Sequence, residues 1–253
     1  MAMTHLALYR HDRDERHLDR AAQLRATIPD DPELTPLLGP DDATGLLHGR
    51  PGVALLDYYL HHLTGDPTAI RRGLALLRTE AGRAVEYPGG GLAFRISTTD
   101  NRLFPYLHRG SAGLALVADR YLPHLDESAG AEWTSTELAT LIERCLTPGS
   151  VPTTAYSGLY EGRAGLVLAL ADHATWTGSP ADRETALAAG SRLYCHAVTH
   201  PTGVRFSGEH TFRLSADLWS GSAGVLLGLT RLLDGPVDAF FTLDDLVRSA
   251  APR

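Results

Sequence analysis

The sequence predicts an all-α fold, a partial (α/α) toroid or barrel of helix pairs joined by G-x-x-G turns, with short β-hairpin insertions. Three observations predict it: a turn motif recurs four times, each copy opens a run that is apolar on every side, and amphipathic runs fall between the copies. The copies are Gly45-Leu-Leu-His48-Gly49-Arg-Pro-Gly52, Leu107-His108-Arg109-Gly110-Ser-Ala-Gly113, Gly158-Leu-Tyr160-Glu161-Gly162-Arg-Ala-Gly165 and Leu218-Trp219-Ser220-Gly221-Ser-Ala-Gly224, spaced 52 to 61 residues apart. A self-similar interval of this length suits a helix pair with a variable loop.

Taken in order, residues 1–42 hold one helix, roughly Glu15 to Ile28, and a Pro/Asp-rich connector from Pro29 to Asp42. This helix is expected to lie on the outside and lead into the first repeat. The runs Val53–Leu60, Leu114–Val117, Leu166–Leu170 and Val225–Leu229 are nearly all apolar, so each reads as an inner helix covered on every side. In each turn the second glycine lets the new helix start against a neighbour with no side chain between them. Ala69–Arg83, Glu137–Leu146 and Asp182–Val198 are amphipathic and read as outer helices. Thr64-Gly65-Asp66-Pro67 and Thr177-Gly178-Ser179-Pro180 each end one helix on glycine and start the next on proline. Gly91–Ile96 and Gly203–Phe206 read as hairpin strands running towards the motif that follows.

Composition narrows the function. The 253 residues carry 30 acidic and 23 basic side chains for a net charge of −7, with no basic stripe, so a nucleic-acid surface is not expected. Every basic residue is Arg, which removes P-loop, Schiff-base and kinase lysine chemistry. Cys145 and Cys195 have no metal-ligand spacing and read as free thiols. No apolar run is long enough to span a membrane, and the charged N-terminus lacks a secretory h-region, so a cytoplasmic protein is expected.

The blocks Pro105-Tyr106-Leu-His-Arg-Gly-Ser-Ala-Gly113, Gly158-Leu-Tyr-Glu-Gly-Arg-Ala-Gly165 and Arg213-Leu-Ser-Ala-Asp217-Leu-Trp-Ser-Gly-Ser-Ala-Gly-Val-Leu-Leu227 occur in that order. With Leu-x-His48-Gly in the first turn, they resemble the lanthionine synthetase C-like cyclases, and most closely the C-terminal zinc-free cyclase domain of class III lanthipeptide synthetases. The resemblance runs from about residue 15 to the end and implies a single cyclase-like domain over 1–253. There are two departures. Where zinc cyclases carry Cys and Cys-His, this chain has Leu107-His108-Arg109 and Leu159-Tyr160-Glu161, so no thiolate zinc site and no cofactor are expected. The family barrel also has more repeats than the four counted here, as in a short, free-standing version.

The resemblance implies a Michael-type addition of a peptide cysteine thiol to dehydroalanine or dehydrobutyrine, forming a thioether in a ribosomally made peptide. Without zinc, this needs a base for the thiol, a cation for the enolate and a proton donor. His48 is the expected acid/base, alternatively a brace of its turn. His108, Arg109, Tyr160, Glu161 and Arg163 flank the next two turns and are expected to line the same pocket, Glu161 orienting His108 or pairing with Arg163. Arg50, Tyr106 and Trp219 are expected to bind substrate. His108 and Glu161 alone are too few ligands for a metal. His61, His62, His196 and His200 are expected at the surface, and Asp217 as a hydrogen-bond partner within its turn.

The alternative reading is a catalytically inactive scaffold that binds the precursor peptide or the dehydrating enzymes. A sugar-processing (α/α) barrel would need paired carboxylates at its mouth, where only Glu161 is placed. The expected partners are a dehydrated precursor peptide and, since a partial toroid exposes the apolar flanks of its end helices, a second copy or kinase/lyase-type biosynthetic proteins.

Overall fold

The computed structural model describes residues 1–31, 33–38, 43–97, 99–125, 133–152, 154–235 and 241–250, with the side chains of 248–250 excepted. Part of the connector expected at 29–42 lies outside the described residues. The described chain is mostly helical with two small antiparallel sheets, as the sequence predicts.

Four inner helices follow the four turns: α3 (Arg50–Thr64), α5 (Ser111–Tyr121), α7 (Arg163–Thr177) and α9 (Ser222–Leu233). Each has the motif glycine as its N-cap: Gly49, Gly110, Gly162 and Gly221. They pack in sequence, α3 on α5, α5 on α7 and α7 on α9. Every residue of α5 is buried, its apolar run Leu114–Ala118 together with Asp119 and Arg120.

The outer helices α4 (Pro67–Ala81), α6 (Ser135–Leu146) and α8 (Pro180–Ser191) pair with α3, α5 and α7. The predicted stops hold. Gly65 and Gly178 sit at φ 74° and 65° as left-handed C-caps, and Asp66 and Ser179 cap the helices that follow.

Two elements depart from expectation. The outer helix expected to reach Val198 ends at Ser191, passes through a short 3-10 segment (Arg192–His196) and becomes strand β4 (Ala197–His200). Val198 and Thr199 are β-branched, and they pair with Arg205 and Val204 of β5 (Gly203–Ser207). The N-terminus holds a further helix, α1 (Ala2–Asp12), paired with α2 (Glu15–Ala26). It buries only Leu6 fully, so its sequence carries no apolar stripe.

The first sheet, β1 (Val85–Glu86), β2 (Leu92–Arg95) and β3 (Leu103–Phe104), lies between α4 and α5. The second joins β4, β5 and β6 (Leu214–Ser215) before the last turn. Both expected hairpin strands are therefore present.

Helix α10 (Asp244–Ala250) packs against α3. Its Asp244 pairs with the Nε of buried Arg120 at 2.9 Å and accepts from Tyr59 at 2.9 Å. Arg120 also holds Asp172 at 2.8 Å, and Asp172 pairs with Arg231 of α9. All four inner helices thus meet in one buried polar network. The flank of α3 is in contact with α10, while on α9 Leu226 and Leu233 remain 65% and 61% exposed.

Candidate active site

The turns converge because each is seated on the one before it. A Cβ on Gly52, Gly113, Gly165 or Gly224 would collide with the carbonyl oxygen of the leucine six residues earlier, Leu46, Leu107, Leu159 or Leu218. The same glycines face the preceding turn: a Cβ added there would lie 2.8 Å from Leu46 at Gly113, 3.2 Å from Leu107 at Gly165 and 2.8 Å from Leu159 at Gly224. Backbone hydrogen bonds then stitch the turns side by side. Leu47 donates to the His108 carbonyl at 3.1 Å, His108 to Tyr160 at 3.3 Å, and Tyr160 to Trp219 at 3.3 Å. Side chains at equivalent places in consecutive turns are therefore brought to one mouth.

There the rings of His48 and His108 lie 5.6 Å apart, those of His108 and Trp219 5.2 Å, and those of Tyr160 and Trp219 4.5 Å. His108 is buried and doubly held: its Nδ1 is 3.0 Å from the Tyr160 carbonyl and its Nε2 is 3.0 Å from Glu161 Oε1. A carbonyl only accepts, so Nδ1 carries a hydrogen. The contact with Glu161 then sets Nε2 within hydrogen-bond reach of the carboxylate. The bond from His108 holds the Glu161 carboxyl below its ordinary range against its partial burial, and the charges of His108, Arg109 and His210 add to this.

His48 is exposed at the mouth, but the buried part of its ring, with the positive charges of Arg109 and His108, holds its imidazole below its ordinary value. Arg109 is half-buried and, among the described residues, has no ion-pair partner. Its backbone carbonyl accepts from Thr44 at 3.0 Å, which fixes the turn that carries it.

Burial raises the Tyr160 phenol well above its ordinary value. Tyr106 packs on Phe104 at 5.3 Å, and burial pushes its phenol up to about 12.

Two expected site residues are not brought to this cluster. Arg163 is buried and donates to the Gly149 and Val151 carbonyls at 2.9 and 2.8 Å, so Glu161 pairs with His108 and not with Arg163. Arg50 is buried against Asp31, Thr35 and Glu80. Both occupy the position after the motif glycine, where Ser111 and Ser222, like Arg163, bond to backbone carbonyls. This position ties each inner helix to the chain outside it. Glu80 completes the brace by accepting from Gly45 N at 2.6 Å, and burial raises its carboxyl to about 7.

Several neighbours carry no signal in the sequence. Phe241 lies 6.2 Å from the Tyr160 ring and Phe104 6.3 Å from His108. A small pocket beside the cluster is lined by Tyr156, Glu161, His210, Trp219 and Ser220, and a cavity of about 870 Å³ opens on the other side of His48 between α1, α3 and Phe241. His61 and His62, expected at the surface, are half-buried and pack with His124 and Tyr58. Asp217 is a turn residue as expected, accepting from Ser220 N at 2.7 Å.

Among the described residues, no three His, Cys, Asp or Glu side chains are placed to hold a metal, and Cys145 and Cys195 are free, one buried and one exposed. No helix among them is long and apolar enough to cross a membrane.

The fold and site define an all-α helix-pair protein with a histidine–carboxylate cluster on its glycine turns. Compared with known proteins, no family profile matches the chain. Over 196 residues, 76% of its length, it is 34% identical to the probable SapB synthase of Streptomyces coelicolor. The alignment covers 20% of that protein, so the chain spans about a fifth of the length of the curated relative it matches.

Proposed function

We propose that this chain is a zinc-independent cyclase of lanthipeptide biosynthesis, adding peptide cysteine thiols to dehydroalanine or dehydrobutyrine. The likeness to a probable SapB synthase supports a role in lanthipeptide biosynthesis. The observation that carries the cyclase reading is the pairing of two histidines with opposed roles 5.6 Å apart, one exposed and depressed, one buried and held on a carboxylate.

His48, neutral at pH 7, takes the proton from the thiol. The thiolate sulfur bonds to Cβ of the dehydro residue, and the Cα–Cβ π pair moves towards the carbonyl oxygen as an enolate. Arg109, which has no ion-pair partner among the described residues, stabilises that oxygen. A proton shared between His108 and Glu161 passes to Cα, completing the thioether, and the proton on His48 returns through solvent to the His108–Glu161 pair. Opposed environments around two titratable groups are what acid–base work at one site requires. Tyr106, Tyr160 and Trp219 form the walls; Arg50 and Arg163 act as braces. The precursor peptide is the substrate, and the exposed flank of α9 is the surface for a second copy or for kinase/lyase-type proteins, in the cytoplasm.

The test is loss of free thiol in a dehydrated peptide, followed by alkylation and mass spectrometry. Protein-dependent loss that falls with His48→Ala supports a cyclase. Binding without thiol loss makes the chain a recruiting scaffold.

A further inference from the structure

The loop between β5 and β6 stands beside the site without a structural reason for its composition. Among the described residues three non-glycines have positive φ, and two of them are consecutive here, His210 at 54° and Thr211 at 62°. A β-branched residue rarely adopts that conformation, and where it is held the strain often marks a functional position. The neck of the loop fixes it: Gly208 N donates to the Arg213 carbonyl at 2.8 Å and Thr211 N to the Gly208 carbonyl at 3.0 Å.

At its tip Phe212 is 88% exposed, the most exposed large apolar side chain among the described residues. Folding alone gives no reason to place a phenylalanine there. Its ring lies 5.8 Å from His210, and His210 lies 6.3 Å from Tyr156. Tyr156 and His210 line the same small pocket as Glu161 and Trp219. An aromatic shelf therefore runs from solvent at Phe212 to the His108–Glu161 pair.

We infer that residues 208–213 form a rigid specificity clamp, in which Phe212 and His210 grip an apolar side chain of the peptide beside its reacting cysteine. The occupant is apolar because the shelf offers ring faces, and it is part of the substrate because the shelf ends in the site. The two neck hydrogen bonds hold the loop's backbone in the free chain, which lowers the ordering cost of binding. This inference rests on the cyclase reading for the identity of its ligand.

The test uses two synthetic peptides, each with one dehydroalanine and one cysteine, with leucine or serine beside the cysteine. Turnover is read as thiol loss and binding as anisotropy of a labelled peptide. The wild-type chain is expected to prefer the leucine peptide. Phe212→Ser should raise KM and Kd for it about tenfold, the scale of one apolar contact, and erase the preference with kcat unchanged. Phe212 is exposed, so the variant keeps its melting temperature.

Wild-type KM and Kd in Phe212→Ser, or no preference in the wild type, overturns the clamp. Leucine-selective binding that is lost in Phe212→Ser, with no thiol loss in any sample, upholds the clamp and overturns the cyclase.

Discussion

Glu161 meets His108 at Nε2, 3.0 Å away, while the other ring nitrogen is committed to the Tyr160 carbonyl. The ring cannot turn without breaking one contact, so Nε2 stays fixed beside the carboxylate. Glu161→Gln keeps the shape but offers its oxygen or its amide without the charge. We expect kcat to fall about a hundredfold or more, the usual scale for removing acid–base help, with KM little changed. Steady-state thiol-loss kinetics check this.

The pH profile should report on His48. Burial, Arg109 and His108 hold His48 below its ordinary value, and its basic form does the work. The rising limb of kcat/KM should therefore fall below pH 6.5. Arg109→Gln removes a positive neighbour, so that limb should move to higher pH. His48→Ala should abolish it. A limb that stays in place in Arg109→Gln would show that another group titrates.

Gly165 and Gly82 give opposite expectations for alanine. At Gly165 a Cβ would strike the Leu159 carbonyl and press on Leu107, both fixed by the turns. Gly165→Ala should cost about 3 kcal/mol in urea unfolding, in the range of overpacking a tight core. At Gly82 the nearest atom would be 3.5 Å away and φ is −61°. There alanine should be neutral or stabilising by up to about 1 kcal/mol, through the unfolded chain.

His173 links stability to pH away from the mouth. Burial pulls its imidazole down, but the 2.8 Å bond to Asp119, the charge of Asp119 and that of Asp182 outweigh this, and the net shift is upward. A histidine raised on folding contributes stability that is complete below its unfolded value. That contribution is lost as pH rises through the folded value. Urea midpoints should therefore fall across that window above pH 6.5, and Asp119→Asn should flatten the fall.

Leu226 and Leu233 leave α9 with an exposed apolar flank, where each earlier inner helix has a successor packed on it. Light scattering at micromolar concentration should show an assembly larger than the 27.3 kDa chain. Leu226→Glu with Leu233→Glu should return it to a monomer. A monomeric wild type would overturn the expectation.

Much of the architecture was legible because a few local rules governed it. The glycine turns, the all-apolar inner runs and the Gly-x-Pro stops each carry their own chemistry, and each falls where expected. The outer helix overran into β4 because Asp182–Val198 keeps an amphipathic look, and only the hairpin partner at Gly203–Ser207 claims its last residues. Arg163 misled for a related reason. Beside a turn glycine it looks like a mouth residue, but the helix start points it back to the Gly149 and Val151 carbonyls.

The histidine pair was half legible: His48 and His108 stand at marked positions, and Glu161 had two candidate partners. Choosing between them needed the stitching of turn to turn, which is a tertiary fact. Phe241 and His210 reach the site through the chain's return path, which leaves no periodic trace.

The seat glycine follows its leucine by six residues in all four turns, whereas the intervals between seats are 61, 52 and 59 residues. What must be constant for the mouth is thus very short, and what varies lies on the periphery. The segments between seats behave as exchangeable cassettes. One can lengthen, acquire a hairpin or trade a strand for a helical turn while the histidines keep their separation. New surfaces can therefore be added around an unchanged centre, and β4–β6 has the form of such an addition.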